Sequence, residues 1–177
     1  LGRGAAIAIA ESGGNIIAIG RNQLELNTLK KEIKKFNVNY LSFNCDVNNY
    51  NRMKLFISKL KKLDILVNNA GTNRPSHFTK IKKMDMDYMV DLNIKAAFNV
   101  AQISSQIMLK AKNRKKKGGS IINMSSQLGK VGAPIRSTYN MTKFAIEGLT
   151  RGMSIDLASS NIRVNSVCPT FVETPMV

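Results

Sequence analysis

Asp64-Ile65-Leu66-Val67-Asn68-Asn69-Ala70-Gly71 places three consecutive apolar residues ahead of two amides and a small-residue turn. The run is too short for a helix and reads as a strand over Asp64–Val67 that ends in a tight turn. The same pattern recurs along the chain, with strands expected at Asn15–Ile19, Tyr40–Phe43, Ser120–Met124 and Arg163–Val167. Helical periodicity fills the intervals. One helix covers 3–13 and stops at Gly13-Gly14. A second follows Asn22, with Glu25 at the capping-box position and a stripe of Leu26, Leu29 and Ile33. A third carries Met53, Phe56, Ile57 and Leu60 within 49–61, and longer ones cover about 85–112 and 138–159. A polar loop runs from Gly71 to about Lys82. Strands this apolar, separated by helices, predict a parallel sheet covered on both faces, the doubly wound α/β class, in a single domain over 1–177. In that class a strand should precede the first helix, because phosphate binding occurs where strand turns into helix. The chain opens at a helix start and closes in a loop after Pro175. A first strand, lying mid-sheet, and C-terminal elements are therefore expected outside it.

The most apolar stretch, Ala5–Ala10, ends at Glu11, well short of the roughly 20 residues a spanning helix needs. Neither a membrane span nor a signal peptide is expected. Cys45 and Cys168 lie far apart without a CxxC partner, so a disulfide scaffold or zinc site is not expected and a reducing cytoplasm is. The 27 basic and 11 acidic residues give a net charge of +16, which raises the question of a nucleic-acid partner. The densest run, Lys110, Lys112, Arg114, Lys115, Lys116 and Lys117, has no interleaved aromatic residue to stack a base. It reads as a solvated helix C-terminus, where lysines complement the helix dipole. His77, the only histidine, sits in the polar loop without acidic or thiol partners for a metal, and no metal site is expected.

Tyr139-Asn-Met-Thr-Lys143 sets a phenol and an ammonium one helical turn apart on one face. The positive charge should lower the tyrosine pKa from about 10, making Tyr139 a general acid or base near neutral pH. Alone, that spacing is more often a solvated helix pair. Gly119-Ser-Ile-Ile-Asn-Met-Ser-Ser126 adds a strand that delivers two hydroxyls at its carboxyl edge, where parallel sheets bind ligands. Ser126 can share a substrate oxygen with the phenol, whereas Ser125 reads as loop capping. At the end of Asp64–Gly71 the two asparagines can satisfy neighbouring backbone groups, and Ala70 and Gly71 let a planar ligand approach the backbone.

Asn68-Asn69-Ala70-Gly71, Asn93 within Asp91-Leu92-Asn93, Ser126, and Tyr139 followed by Lys143 together resemble the short-chain dehydrogenase/reductase family. Cys45-Asp46-Val47, Arg163-Val164-Asn165 and Pro169 to Pro175 extend the resemblance over nearly the whole chain; Thr170 stands where the family usually has glycine. The resemblance implies a Rossmann-like domain that transfers hydride between a nicotinamide cofactor and a small carbonyl or alcohol substrate. Tyr139 would exchange the proton, and Lys143 would lower its pKa and bind the nicotinamide ribose. Ser126 would polarise the substrate oxygen, so that Ser126 and Tyr139 form the substrate contact. Asn93 would hold a water linking Lys143 to solvent. Leu1 and Gly2 would belong to the glycine-rich phosphate loop, Asp46 and Val47 would contact adenine, and Asn69, Ala70 and Gly71 would line the ribose and nicotinamide side. Thr174 would contact the nicotinamide amide. It also implies that the helices at 85–112 and 138–159 pair subunits into a homotetramer or homodimer.

The second strand ends in Gly20-Arg21, not in the carboxylate that would bond a ribose 2′-hydroxyl. A guanidinium there favours NADP(H) over NAD(H). Met124–Gly129 and Cys168–Pro175 loosely resemble members acting on sugar acids such as gluconate and on 3-oxoacyl thioesters, so sugar acids, polyols and 3-oxoacyl compounds are the candidate substrates. The alternative is a non-catalytic nicotinamide-binding or interaction module of the same fold, which would be expected to lose the tyrosine, lysine or serine.

Overall fold

The computed structural model describes residues 1–173. Five strands form, β1 (Ile16–Gly20), β2 (Tyr40–Asn44), β3 (Ile65–Asn68), β4 (Gly119–Met124) and β5 (Ile162–Val167). Every pairing among them is parallel, in two groups, β1-β2 and β3-β4-β5. β1 and β3 do not pair with one another.

Period-2 alternation sorts the side chains between two layers. Ile16 and Ala18 pack with Ala10 of α1 (Gly2–Glu11) and with Leu29 and Ile33 of α2 (Gln23–Ile33). Ile19 points the other way, into a cluster of Cys45, Met53, Ile57, Val100, Ile103 and Ile107. That cluster, built on α3 (Tyr50–Ser58) and α5 (Ala97–Lys110), also takes Phe43 of β2 and Leu66 of β3, so it bridges the two strand groups. A third cluster joins Met108 to Ile121, Ile162 and Val164, with Met153 and Leu157 of α7 (Ser137–Ala158) packed against it. Not every strand residue is covered, however. Leu41 is 48% and Ile65 44% exposed, because the β1-β2 pair ends the layer on one side and β3 keeps an open edge.

Helix boundaries follow local chemistry. The Asn22 side chain accepts from the backbone N–H groups of Leu24 and Glu25, as an N-cap should. Glu25 does not close the reciprocal half of the capping box. Its carboxylate pairs with Arg3, which also binds Glu32 and so ties α1 to α2. The segment expected as one helix over 85–112 is three pieces. α4 (Lys83–Val90) passes into a wider π-type turn over Asp91–Ala96, and α5 then stops at Lys110.

Beyond it the basic run folds back as a single turn, α6 (Arg114–Lys117), entered through Asn113 at φ 61° and left through Gly118 at φ 71°. Lys110, Lys112, Lys115, Lys116 and Lys117 are exposed, but Arg114 is buried. Its guanidinium donates to the carbonyls of Met108, Leu63 and Gly118 and pairs with Asp64 at 3.2 Å. One member of the supposed charged surface is thus a structural clamp between the end of α5 and the start of β3. Among the described residues no helix is long and apolar enough to cross a membrane.

Candidate active site

The carboxyl ends of β3, β4 and β5 converge on one edge, and the start of α7 faces it. Ser126 follows β4 in an extended conformation and opens a short turn over Gln127–Gly129, its Oγ accepting from Leu128 N–H at 3.1 Å. The Gln127 N–H donates to the carbonyl of Pro169, just after β5, so the Ser126 turn is anchored to the neighbouring strand end. Tyr139 is the third residue of α7, half-buried, and lies near enough to the Ser126 hydroxyl for that group to draw its pKa down. Lys143 lies one turn on and is only 6% exposed. The structure therefore brings Ser126, Tyr139 and Lys143 together at the sheet edge that parallel α/β folds use for ligands.

The electrostatics differ from the expectation built on spacing alone. Burial raises the Tyr139 pKa above 10; the Ser126 hydroxyl and the Arg136 charge oppose that shift without reversing it. Lys143 does not act on the phenol here. Its Nζ lies 5.5 Å from the centre of the Tyr139 ring and donates to the carbonyl of Met124 at 2.7 Å. Burial lowers the Lys143 pKa to about 8, partly countered by the Cys168 thiol. A four-carbon stem lets the ammonium leave the helix face that the i, i+4 rule assigns to it, and the β4 carbonyl captures it.

Asn93 sits in the π-type turn, 2% exposed. Its amide accepts from Thr72 N–H and donates to Thr72 C=O, both at 2.8 Å, and donates again to Thr142 Oγ1 at 3.1 Å. Thr142 is fully buried and hands its own hydroxyl proton to the Tyr139 carbonyl at 2.8 Å. Asn93 thus fastens the loop after β3 to the backbone of Tyr139. Sequence reasoning missed Thr142, although its place between Tyr139 and Lys143 was a signal. Asn68 donates to the carbonyl of Ala97 in α5 at 2.8 Å and to Asn123 Oδ1 at 3.3 Å, which fixes the strand end from below.

A buried ionic group beneath the site was also missed. Glu147, one turn past Lys143, pairs with Lys130 at the end of the Ser126 turn and accepts from Cys168 Sγ at 3.4 Å. Ser125, read as a loop cap, belongs to this group and also reaches the carbonyl of Lys143. Burial alone would raise the Glu147 pKa, but hydrogen bonds from Lys130, Ser166, Ser125 and Cys168 outweigh it and bring it from 4.5 down to about 2. A carboxylate depressed on folding contributes stability above its unfolded pKa and loses it as pH falls through the folded value. The loss should fall between about pH 4.5 and 2, on the order of 3 kcal/mol in all. Urea midpoints measured across that range should fall less steeply for Lys130→Met than for the parent protein. Parallel profiles would contradict the assignment.

The residues expected to hold a dinucleotide lie along the same edge. The start of α1 touches the Asn69 turn so closely that a Cβ at Gly2 would come within 2.7 Å of Asn69 Nδ2. A Cβ at Gly71 would sit 3.2 Å from Asn93 Oδ1. Leu1 is the N-cap of α1, whose first turn carries no acidic residue to oppose a phosphate. Ala70 lies between Asn69 and Gly71 in the turn. Asp46 uses one carboxylate oxygen to accept from Asn48 N–H and holds the other 3.8 Å from Arg21 Nη1. Arg21 also donates to the Tyr88 hydroxyl at 3.2 Å. Val47, expected against adenine, packs partly into the α3–α5 cluster. Thr174 lies outside the described residues. A helix start and one strand-end turn, each with little room for a side chain, and a cationic strand end fit a phosphate-linked dinucleotide.

The model of the short chain dehydrogenases matches residues 1–177. A 3-oxoacyl-acyl-carrier-protein reductase of Thermotoga maritima is 33% identical over 180 residues, covering 99% of this chain and 71% of its own length. The oxidoreductase UcpA of Salmonella typhimurium is 34% identical over 181 residues, covering 99% of this chain and 66% of its own. Among solved structures, the carveol dehydrogenase of Mycobacterium avium in complex with NAD superposes with a TM-score of 0.92 at 27% identity, over 99% of this chain and 68% of that one. An NAD+-bound xylitol dehydrogenase superposes at 0.89 with 28% identity, over 96% and 65%. The chain spans about two thirds to seven tenths of the length of these relatives.

Proposed function

Because this chain belongs to the short chain dehydrogenase family, whose members are nicotinamide-dependent oxidoreductases, we propose that it interconverts a small carbonyl compound and its alcohol with Tyr139 as the proton-transferring group. The observation that carries this reading is the half-buried Tyr139 phenol beside the Ser126 hydroxyl, one turn from a desolvated Lys143. A bound nicotinamide supplies or takes up the hydride. Ser126 and Tyr139 present two hydroxyls to one substrate oxygen. In reduction the phenol gives its proton to that oxygen; in oxidation the same atom takes the proton back. The raised Tyr139 pKa keeps the proton on the phenol at neutral pH, which suits reduction, and oxidation gains as pH rises. Burial brings the Lys143 pKa from 10.5 down to about 8, and its ammonium, held on the Met124 carbonyl, would have to swing towards the phenol to resupply its proton. Asn93 holds the Tyr139 turn in position, and a water on it would carry protons onward. The presence of all four side chains in one place supports an enzyme over a binding module of the same fold.

The preferred cofactor in this reading is NADP(H), held by Leu1, Gly2, Arg21, Asp46, Val47, Asn69, Ala70, Gly71, Tyr139, Lys143 and Thr174. Arg21 supports it, since its side chain is 64% exposed and its one carboxylate neighbour stands at the long distance of 3.8 Å. A charge-assisted hydrogen bond to a 2′-phosphate is worth about 1.5–3 kcal/mol. Arg21→Ala should therefore lower kcat/KM for NADPH about tenfold or more and leave NADH within a few-fold, in initial-rate assays on the full-length protein. A parent protein that prefers NADH would overturn this point alone. Exposed Phe98 and Leu109 on α5 and Met141, Phe144 and Ile155 on α7 support pairing into a homodimer or homotetramer. Two free cysteines suit the cytoplasm.

A further inference from the structure

We propose that Arg136 anchors a carboxylate on the substrate, so that the carbonyl or alcohol reacting at Tyr139 belongs to a keto acid or hydroxy acid. This rests on the reading of Tyr139 and Ser126 as the reacting pair, and it narrows the substrate class for that pair. Arg136 is the last residue before α7, three positions ahead of Tyr139, and its carbonyl is fixed by Asn140 N–H at 2.7 Å. Arg136 is partly buried as a residue, and among the described residues its guanidinium makes no hydrogen bond except one to the neighbouring Ile135 carbonyl, at the limiting distance of 3.5 Å. The contrast with the other shielded arginines is informative. Among the described residues three arginines are not fully exposed. Arg3 pairs with Glu25 and Glu32, and Arg114 with Asp64. Arg136 has no carboxylate, although a partly desolvated cation gains most from one.

Ile135 stands at φ 53°, a conformation that strains a β-branched residue, and its carbonyl accepts from Ser76 N–H at 3.1 Å. That contact locks the segment before α7 to the loop after β3 and fixes the point from which the Arg136 side chain leaves. Asn73 Oδ1 in the loop after β3 and Asn140 Oδ1 in the first turn of α7 are buried acceptors without a donor among the described residues. Asn140 meanwhile gives its amide proton to the Val131 carbonyl. The Arg136 charge already reaches the phenol, so a carboxylate seated on it would also modulate proton transfer.

The test compares short keto acids with their methyl esters and amides, using the full-length protein and NADPH or NADH. The expected result is a kcat/KM for the acids at least about tenfold above the neutral analogues. That ratio should collapse towards one in Arg136→Met, mainly through KM, and be partly kept in Arg136→Lys. Loss of the cation should also move the basic limb of the pH profile upward, which a merely structural role would not do. A ratio near one in the parent protein, or one that Arg136→Met leaves unchanged, overturns the assignment while the function stands. If no carbonyl compound of either kind were turned over, the reading of the site would fail and this inference with it.

Discussion

Tyr139→Phe should lower turnover by at least about a hundredfold, the least that a general acid–base group contributes, while the melting temperature stays close to that of the parent protein. The substitution removes one oxygen from a half-buried ring and leaves the ring to pack under Lys143. Ser126 loses its phenol neighbour but still accepts from Leu128 N–H, so the turn after β4 keeps its shape. The Thr142 contact to residue 139 is to the backbone carbonyl and survives as well. Only the atom proposed to transfer the proton is gone. Initial rates and thermal unfolding on the same preparations separate the two effects. Turnover within a few-fold of the parent would show that another group moves the proton.

Arg114→Ala should cost about 3 kcal/mol or more of folding stability. The guanidinium serves three carbonyls, that of Met108 buried and those of Leu63 and Gly118 partly buried. Each buried acceptor left without a donor costs about 1–3 kcal/mol. The Asp64 pair adds less, since that carboxylate is 44% exposed and keeps Lys62 at 2.8 Å. The adjacent control is Lys115→Ala, an exposed position whose loss should stay within about 0.5 kcal/mol. Urea denaturation of both variants decides the matter, and equal midpoints would contradict the clamp. The control matters because Arg114 and Lys115 cannot be told apart by charge or sequence position.

That pair shows where a sequence stops being readable. Four apolar residues between turn signals betray a parallel strand, and each of the five strands lies within a residue of its expected bounds, because burial and β-propensity act locally. The encounter of Ser126, Tyr139 and Lys143 was legible for the same reason, since it follows from strand ends meeting a helix start. What a long side chain does after leaving its backbone is not local. Lys143 bends to the Met124 carbonyl, Arg114 dives beneath a lysine run, and Glu25 leaves its capping box for Arg3. The sign of the Tyr139 shift went wrong on that account, because spacing gives adjacency while the pKa answers to burial first. The wider turn at Asp91–Ala96 was hidden too, since a period of 3.6 looks alike whether or not one turn is loosened. Glu147 needed knowledge of which loop packs on α7, and that comes only from the fold.

The most direct test of the account follows a deuterium label. NADPH and NADH deuterated at the nicotinamide C4 are incubated with the full-length protein and a short keto acid, and the product alcohol is analysed by mass spectrometry. The account predicts deuterium on the former carbonyl carbon with the parent protein and almost none with Tyr139→Phe. Unlabelled product alcohol from a cofactor deuterated at both C4 positions, or labelled alcohol formed at equal rates by both proteins, would contradict it.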